Sequence, residues 1–416
     1  MTNMDNVIAH NQIKLKRILT CLCGVSLLCV QEISSIILSI GISGIARTII
    51  LMSLCYIPFF LLLLTRPKQI PMDAIVIIVT AVLFFYVTIF MHPEYQRIVE
   101  SEMWSTVVSP YSGVIYYSVF RLFQKNSDLY SIIIISSIFL FVFYFIQSIN
   151  AISAGYWIVS TPEGIVHLDY SMTFGYKMLL PCLVFISVGL NQKKVFFIVL
   201  GCIAAGEILM LGSRASFLCV LVYLLLFIIF IRSNEIEYRK KIQFFIIIII
   251  ISVLIVLFYQ QILEAIGSVF ESIGFSSRTI QRIINGSIAE DPIRHSIYDM
   301  AIEKIQNNWI VGYGMLSDRY FFGTYCHNMF LEIFMQFGLI VGAGIILLLF
   351  INIFKGFFIK QNSDFKQFFI VFFSCSIVRL MVSYSFWDDS NFWIMLAILK
   401  HLLEKNKMTK ESCIYD

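Results

Sequence analysis

The chain has 416 residues, of which 59% are hydrophobic and 13% charged, with a formal net charge of +4 and a mean hydropathy of +0.85. Soluble domains carry about 25% charged residues, so this composition excludes an ordinary soluble protein. Apolar runs that repeatedly reach about 20 residues predict a polytopic membrane protein of the all-α class. They lack the polar alternation of a membrane β-barrel.

Twelve membrane-spanning helices are predicted along the chain. The predicted spans are 18–39, 46–65, 71–91, 107–123, 130–150, 171–190, 195–212, 214–232, 242–263, 328–354, 366–386 and 390–404. They divide the chain into a cytoplasmic N-terminus (1–17), nine helices (18–263), a large outer loop (264–327), three helices (328–404) and a cytoplasmic tail (405–416). The first apolar run has no small-residue cleavage site, so we interpret it as a span and not as a removable signal peptide.

The basic residues test this count, because cytoplasmic loops are enriched in Lys and Arg. Most of the 30 basic residues fall in the predicted cytoplasmic segments when both termini are cytoplasmic. The loop 264–327 keeps helical periodicity, for example at Ile297, Ala301 and Ile305, so we expect an ordered helical cap. Residues 92–105 and 154–170 are predicted to be shorter outer surface loops.

Ten basic residues fall in outer loops or near outer ends of spans: Arg47, Arg97, Lys177, Arg214, Arg278, Arg282, Arg294, Lys304, Arg319 and Arg379. A charge that faces lipid costs several kcal/mol, so the group indicates a hydrated cavity walled by protein. Snorkelling to lipid phosphates explains single cases such as Arg47 and Arg97 equally well. Arg214 lies in the turn LGSRAS, where a guanidinium and backbone amides together suit a phosphate. An anion at the outer interface, such as a lipid diphosphate, is therefore the predicted ligand.

His327 begins a predicted span in the stretch GTYCHNMFLEIFMQFGLIVG, 323–342. An imidazole exchanges a proton near neutral pH, which suits activation of a sugar hydroxyl. A lone histidine is also commonly structural, and spacing alone leaves both readings open. The neighbouring Asn328 is a candidate for orienting it.

Carboxylates near the spans are the remaining candidates. Asp388 and Asp389 lie among aromatic residues in YSFWDDSNFW (384–393), a composition that suits sugar contact or an interfacial aromatic belt. Glu207 is expected to pair with a cation such as Lys177 or Arg379. No Gly-rich nucleotide loop and no metal-ligand spacing are present, so neither a cofactor nor a metal is expected.

Three stretches, in this order, resemble the O-antigen ligase and oligosaccharide repeat-unit polymerase (Wzy-type) superfamily of bacterial surface polysaccharide assembly. They are LGSRASFLCVLV (211–222), RHSIYDMAIEKIQNNWIVGYG (294–314) and HNMFLEIFMQFG (327–338). The likeness covers the architecture of the whole chain and motifs from about 206 to 342. Val341, and residues 309–311 where members usually have Pro, depart from the pattern and leave the subfamily open.

The resemblance implies an inverting, metal-independent, GT-C-like glycosyltransferase of the bacterial inner (cytoplasmic) membrane, with its site facing the periplasm or cell exterior. Donor and acceptor would be oligosaccharides linked to undecaprenyl diphosphate. A chain-length regulator and a flippase are expected partners, and nucleic acid is not. By motif position, the diphosphate would be held by Arg214 and Arg294 with help from Arg278 or Arg282. His327 would orient or deprotonate the acceptor hydroxyl, with support from Asn328, Asp388, Asp389, Lys177 and Arg379.

Three activities compete on this reading. The first is polymerisation of lipid-linked repeat units into a surface polysaccharide such as O-antigen or capsule. The second is a ligase that moves finished glycan to a lipid or wall acceptor. The third is a flippase of lipid-linked sugar, which would need cavity charges in both leaflets, whereas the ten unusual basic residues cluster on the outer side.

Overall fold

The computed structural model describes residues 3–65, 71–154, 156–161, 164–168, 171–231, scattered positions between 243 and 268, 292–359 and 364–415. Helices dominate, as the composition predicts. In chain order they are α1 (Asn3–Leu28), α2 (Val30–Ser39), α3 (Gly44–Thr65), α4 (Met72–Met91), α5 (Gln96–Val107), α6 (Gly113–Arg121), α7 (Asn126–Ala154), α8 (Met172–Gln192), α9 (Val195–Leu211), α10 (Arg214–Phe230), α11 (Pro292–Asn307), α12 (Ser317–Phe322), α13 (Met329–Phe357), α14 (Asp364–Val382) and α15 (Ser390–Tyr415).

Six described helices are long and apolar enough to cross a membrane: α3, α4, α7, α8, α13 and α14. The α1–α2 pair, bent by 74° at its break, makes up to seven. The apolar helices α9 and α10 have 17 residues each, and the predicted span 242–263 lies largely outside the described residues. The polytopic helical architecture is confirmed, and the total of twelve spans stays a prediction.

The predicted span 107–123 is a helix of only nine residues, α6. At 1.5 Å per residue it is about 14 Å long, too short to cross the hydrocarbon core. Every residue from Gly113 to Arg121 is buried. Its apolar sequence therefore reflects burial within the protein and not contact with lipid.

The two predicted outer loops contain regular structure. Residues 92–105 form a single 3₁₀ turn (Pro93–Tyr95) followed by most of α5. Within 154–170, β1 (Trp157–Thr161) and β2 (Gly164–Leu168) pair as an antiparallel hairpin in which Trp157 faces Leu168. The hairpin is a small addition to the predicted all-α class.

Helix α14 lies at the centre of the bundle, packed against α8, α10, α13 and α15. Its Phe365, Phe368, Phe369 and Phe372 are fully buried. Because four helices pack against α14, the position of its C-terminal end at Val382 is fixed relative to the residues around it.

A buried ion cluster closes the opposite end of the bundle. Arg121 of α6 binds Asp73 of α4 at 2.8 Å and Glu404 of α15 at 2.9 Å. Its Nη1 also lies 3.0 Å from Nδ1 of His401. The cluster joins three helices near the start of α14, about 28 Å along that helix from its C-terminal end.

Helix α13 is broken at Gly338, which has φ 71° and ψ 173°. A Cβ at this position would lie 2.3 Å from the carbonyl oxygen of Ile310. Gly312 has a matching constraint, since a Cβ there would lie 2.4 Å from the amide nitrogen of Gly338. The backbone of the segment before α12 therefore packs directly against the backbone at the break in α13.

Candidate functional site

The C-terminal end of α14 receives side chains from two other elements. Arg294 of α11 donates through Nη1 to the carbonyl of Val382 at 3.2 Å. Asn328, which precedes α13, donates through Nδ2 to the carbonyl of Met381 at 3.0 Å. These contacts satisfy two of the carbonyls that a helix end leaves without intrahelical partners. They bring two sequence-predicted site residues together.

His327 is held at the start of α13 by its backbone. Its φ of 54° is in the left-handed region, and its carbonyl accepts a hydrogen bond from the Tyr298 hydroxyl at 3.2 Å. The imidazole packs on Tyr325 with 4.4 Å between ring centroids. Asn328 caps α13, because its Oδ1 accepts from the amides of Phe330 and Leu331. His327 thus adjoins Asn328, and it contacts the face of α11 that also carries Arg294.

Arg379, near the end of α14, lies between two aromatic rings. Its guanidinium carbon is 3.8 Å from the ring centroid of Tyr384 and 5.0 Å from that of Tyr176. Its Nη1 is 3.4 Å from the buried carboxylate of Asp389, and its Nε is buried without a hydrogen-bond acceptor among the described residues. Burial raises the pKa of Asp389 from its ordinary value, and the charge of Arg379 opposes that rise.

The turn that carries Arg214 lies beside this arginine. Ser213 caps α10 by accepting from the amide of Ser216 at 3.2 Å, which makes Arg214 the first residue of the helix. Tyr176, whose ring contacts Arg379, shares a hydrogen bond with Ser213. The backbone of Arg214 is described and its side chain is not. Arg278 and Arg282 lie outside the described residues, so their predicted contacts with a diphosphate stay predictions.

Lys177 is paired with a carboxylate that differs from the one expected. Its Nζ lies 3.8 Å from Oε1 of Glu32 and hydrogen-bonds to Gln31. Glu207 instead accepts from Ser148 at 2.9 Å, so the predicted pairing of Glu207 with Lys177 or Arg379 is wrong. Sequence order put Glu207 near these cations, but the α1–α2 bend brings Glu32 to Lys177.

A cluster around Arg319 completes this end of the molecule, and no role for that arginine follows from the sequence. Its Nη1 donates to Asp318 and to Glu332, each at 2.8 Å, and its Nη2 donates to Ser385 at 2.8 Å. Nη2 also lies 3.3 Å from Asp388. The carboxylates, led by Asp318 and Glu332, raise the pKa of Arg319 although burial acts to lower it. Asp388 and Asp389 therefore bind two different arginines, one from the cap and one from α14.

Glu332 belongs to the cluster around Arg319, and it was not among the residues predicted from the sequence. It is fully buried and lies five residues after His327 in an apolar run. An acid in a predicted span is a site candidate by default. HNMFLEIF carries that signal at Glu332.

Tyr325 lies among three arginines and the carboxylate of Asp388. Burial raises the pKa of Tyr325, and Arg379, Arg294 and Arg319 act in the opposite direction because their positive charges favour a phenolate. Such an arrangement can hold an anion near an imidazole that can take up a proton.

Contacts with α4 give the level of the site along the membrane normal. The amide of Met315 donates to Thr88 at 2.9 Å, near the end of α4. Tyr320 of α12 packs on Tyr95, just past that end, with 4.3 Å between ring centroids. Since α4 is one of the membrane-crossing helices, the Arg319 cluster lies at the level where a span ends.

Residues 196–347 match a family model described as O-Antigen ligase. The matched region contains all three stretches on which the sequence resemblance rests, together with Arg294 and His327. Lys177, Arg379, Asp388 and Asp389 lie outside it. The comparisons with curated proteins and with solved structures gave no match. The predicted relationship is confirmed for this region of the chain.

Proposed function

We propose, from the match of residues 196–347 to the family model described as O-Antigen ligase, that this chain is a GT-C-like polymerase of surface polysaccharide in the bacterial inner membrane. It joins oligosaccharide repeat units linked to undecaprenyl diphosphate, at the outer side of that membrane. One observation carries the proposal: Arg294, His327 and Asn328 converge on the end of α14 beside Arg379.

In the proposed reaction an acceptor sugar hydroxyl attacks the anomeric carbon of the donor. The carbon–oxygen bond to the diphosphate breaks, the diphosphate leaves with the electron pair, and the hydroxyl proton passes to His327. Attack opposite the leaving group inverts the anomeric configuration. Preorganised guanidinium groups stabilise the charge that develops on the diphosphate, so the step requires no metal in principle.

Three cations are assigned to the diphosphate. Arg294 and Arg214 follow from the family motifs, and Arg379 is added because its buried Nε has no acceptor among the described residues. Guanidinium groups suit phosphate because they donate in a planar fork. Asn328 is assigned to fixing the start of α13, and Asp389 to orienting Arg379.

A ligase is the second candidate, since the matched family is described as O-Antigen ligase. It would use the same donor chemistry with a different acceptor. Deletion of the gene separates the two activities. Loss of glycan longer than one repeat unit indicates a polymerase, whereas finished glycan left on its carrier lipid indicates a ligase.

The direct test of the site uses purified protein and a lipid-linked repeat unit in the presence of EDTA. His327→Asn is chosen because asparagine tolerates the left-handed backbone at this position. We expect elongation to fall by about 10²- to 10⁴-fold, the usual contribution of a general base. Arg294→Ala should reduce it by about 10²- to 10³-fold through the lost stabilisation of charge.

Two matched variants control for general damage. His295→Ala removes an exposed imidazole from the same helix as Arg294, and Arg97→Ala removes an exposed guanidinium from α5. Both should elongate at the wild-type rate. Wild-type elongation by His327→Asn would contradict its role as base, and loss of all activity in EDTA that returns with added Mg²⁺ would contradict the metal-independent mechanism.

A further inference from the structure

We infer that residues 308–314, which follow α11, dip into the bilayer beside the candidate site, where lipid acyl chains cover three consecutive apolar side chains. These are Trp309, Ile310 and Val311, whose exposed fractions are 51%, 50% and 55%. The sequence assigned this stretch to an outer loop clear of lipid. Three adjacent apolar side chains exposed to water would be an unfavourable arrangement.

The depth of the segment follows from its contact with α13 and from the packing of α13 against α4. The amide of Leu339, in α13, donates to the carbonyl of Trp309 at 2.6 Å. Phe337, two residues before Leu339 in α13, packs edge-on against Phe84 of α4 with 5.6 Å between ring centroids. Phe84 lies seven residues before the end of α4 at Met91, a distance of about 10 Å. The segment therefore lies at a level within the span and not beyond its end.

Backbone groups at both ends of the segment are hydrogen-bonded within the protein. The carbonyl of Asn308 accepts from the amide of Gly312 at 3.2 Å, and the Asn308 side chain donates to the Gly312 carbonyl at 2.6 Å. The amides of Tyr313 and Gly314 donate, at 2.8 and 3.0 Å, to the carbonyls of Met335 and Gln336, three and two residues before the break in α13. Non-helical backbone at membrane depth is tolerated where protein groups supply such partners.

The exposed apolar surface continues from the segment onto α13. Leu339, Ile340 and Val341, directly after the break, are 44%, 63% and 52% exposed. By contrast, none of residues 329–337 is exposed. Neither 309–314 nor 339–345 contains a charged residue. A continuous uncharged surface that begins where the segment meets α13 fits hydrocarbon, because a protein interface would ordinarily have a polar rim.

Site-specific photocrosslinking tests this inference. Ile310 is replaced by p-benzoylphenylalanine, and the full-length protein is reconstituted in liposomes of phosphatidylethanolamine and phosphatidylglycerol. After irradiation, mass spectrometry should detect phospholipid acyl chains attached at position 310. The control carries the same group at His295, an exposed residue at the other end of α11, and should give at least tenfold less lipid adduct.

A second variant carries the photoreactive group at Trp309, where an aromatic ring of similar size is already accommodated. Lipid adducts at either position, with the control low, support the bilayer contact. Adducts only to polypeptide, or no lipid adduct from protein that remains monodisperse, would overturn it. The readout is a lipid adduct, so the outcome is independent of whether the proposed polymerase activity is found.

Discussion

At Glu332 a single buried carboxylate accepts from four donors. These are Arg319 Nη1 at 2.8 Å, Ser385 Oγ at 2.6 Å, the amide of Phe386 at 3.3 Å and Gln336 Nε2 at 3.5 Å. The side chain thereby ties the cap to the turn after α14. The catalytic proposal for His327 depends on this tie, because the same turn follows the carbonyls that Arg294 and Asn328 bind.

Replacing this carboxylate should destabilise the protein. Glu332→Leu leaves the Ser385 hydroxyl and the Phe386 amide buried without this acceptor, which costs about 1–3 kcal/mol for each unsatisfied group, while Arg319 keeps Asp318 and Asp388. Thermal unfolding in detergent, followed by near-UV circular dichroism, measures the change. Glu303→Leu, at an exposed carboxylate of α11, is the control and should stay within about 0.5 kcal/mol of wild type. Equal melting of the two variants would contradict a structural role for Glu332.

Single residues could be predicted from the sequence where a motif or the unusual position of a charge marked them. His327, Asn328 and Arg294 were found because the stretches 294–314 and 327–338 resemble a known pattern, and the structure brings these three together. Arg319 belongs to no motif, and its partners come from positions 13 and 69 residues away. Such a cluster depends on tertiary contacts that neither spacing nor composition encodes.

At the scale of elements, the broken helix α13 and the segment 308–314 form one unit. Residue 338 has positive φ, and the helix carbonyls freed by the break accept from the amides of Tyr313 and Gly314. The glycines at 312, 314 and 338 therefore all allow the same close backbone contact. The Gly-Tyr-Gly that ends the stretch 294–314 and the glycine that ends the stretch 327–338 are the two sides of this contact.

Gly338→Ala should disrupt the contact between the segment 308–314 and α13. A Cβ would meet the Ile310 carbonyl at 2.3 Å, and alanine at this φ costs about 1–3 kcal/mol before the clash is counted. We expect a lower melting temperature and loss of elongation together. Gly344→Ala is the matched control, since nothing lies within 4 Å of a Cβ there and alanine favours helix by up to about 1 kcal/mol. A Gly338→Ala protein that melts with the control would show that the contact is not required.

Spans were predictable where an apolar run forms one long helix, including the largely buried α8 and α14, and the prediction failed where the helix is short. α4 and α13 agree with predicted spans because hydropathy reports the environment of exposed side chains. The run 107–123 gave the same signal, yet its helix is short and wholly buried. The hairpin at 157–168 was missed because its strands have five residues each, too few for a clear alternation.

At the scale of the whole molecule, the two ends of the bundle carry different sets of charged residues. One end carries the Arg121 cluster together with Lys125, Lys193, Lys366 and Lys405, all predicted to be cytoplasmic. The other end carries the arginines of the candidate site. Helices α7 and α8 run between them, since Lys405 near the first end binds Asn126 at 3.1 Å and Trp157, just after α7, packs on Phe174 at the second.

Reporter fusions test which end faces the cytoplasm. Alkaline phosphatase folds only outside, and green fluorescent protein matures only inside. Because Lys and Arg are retained on the cytoplasmic side, a fusion after Ala154 should give phosphatase activity and a fusion after Gln192 should fluoresce. Swapping the two reporters at each position supplies the control, and both signals should then be lost. The inverse pattern would place Arg294 and His327 on the cytoplasmic side, and a polymerase that elongates lipid-linked glycan on the outer face would then be excluded.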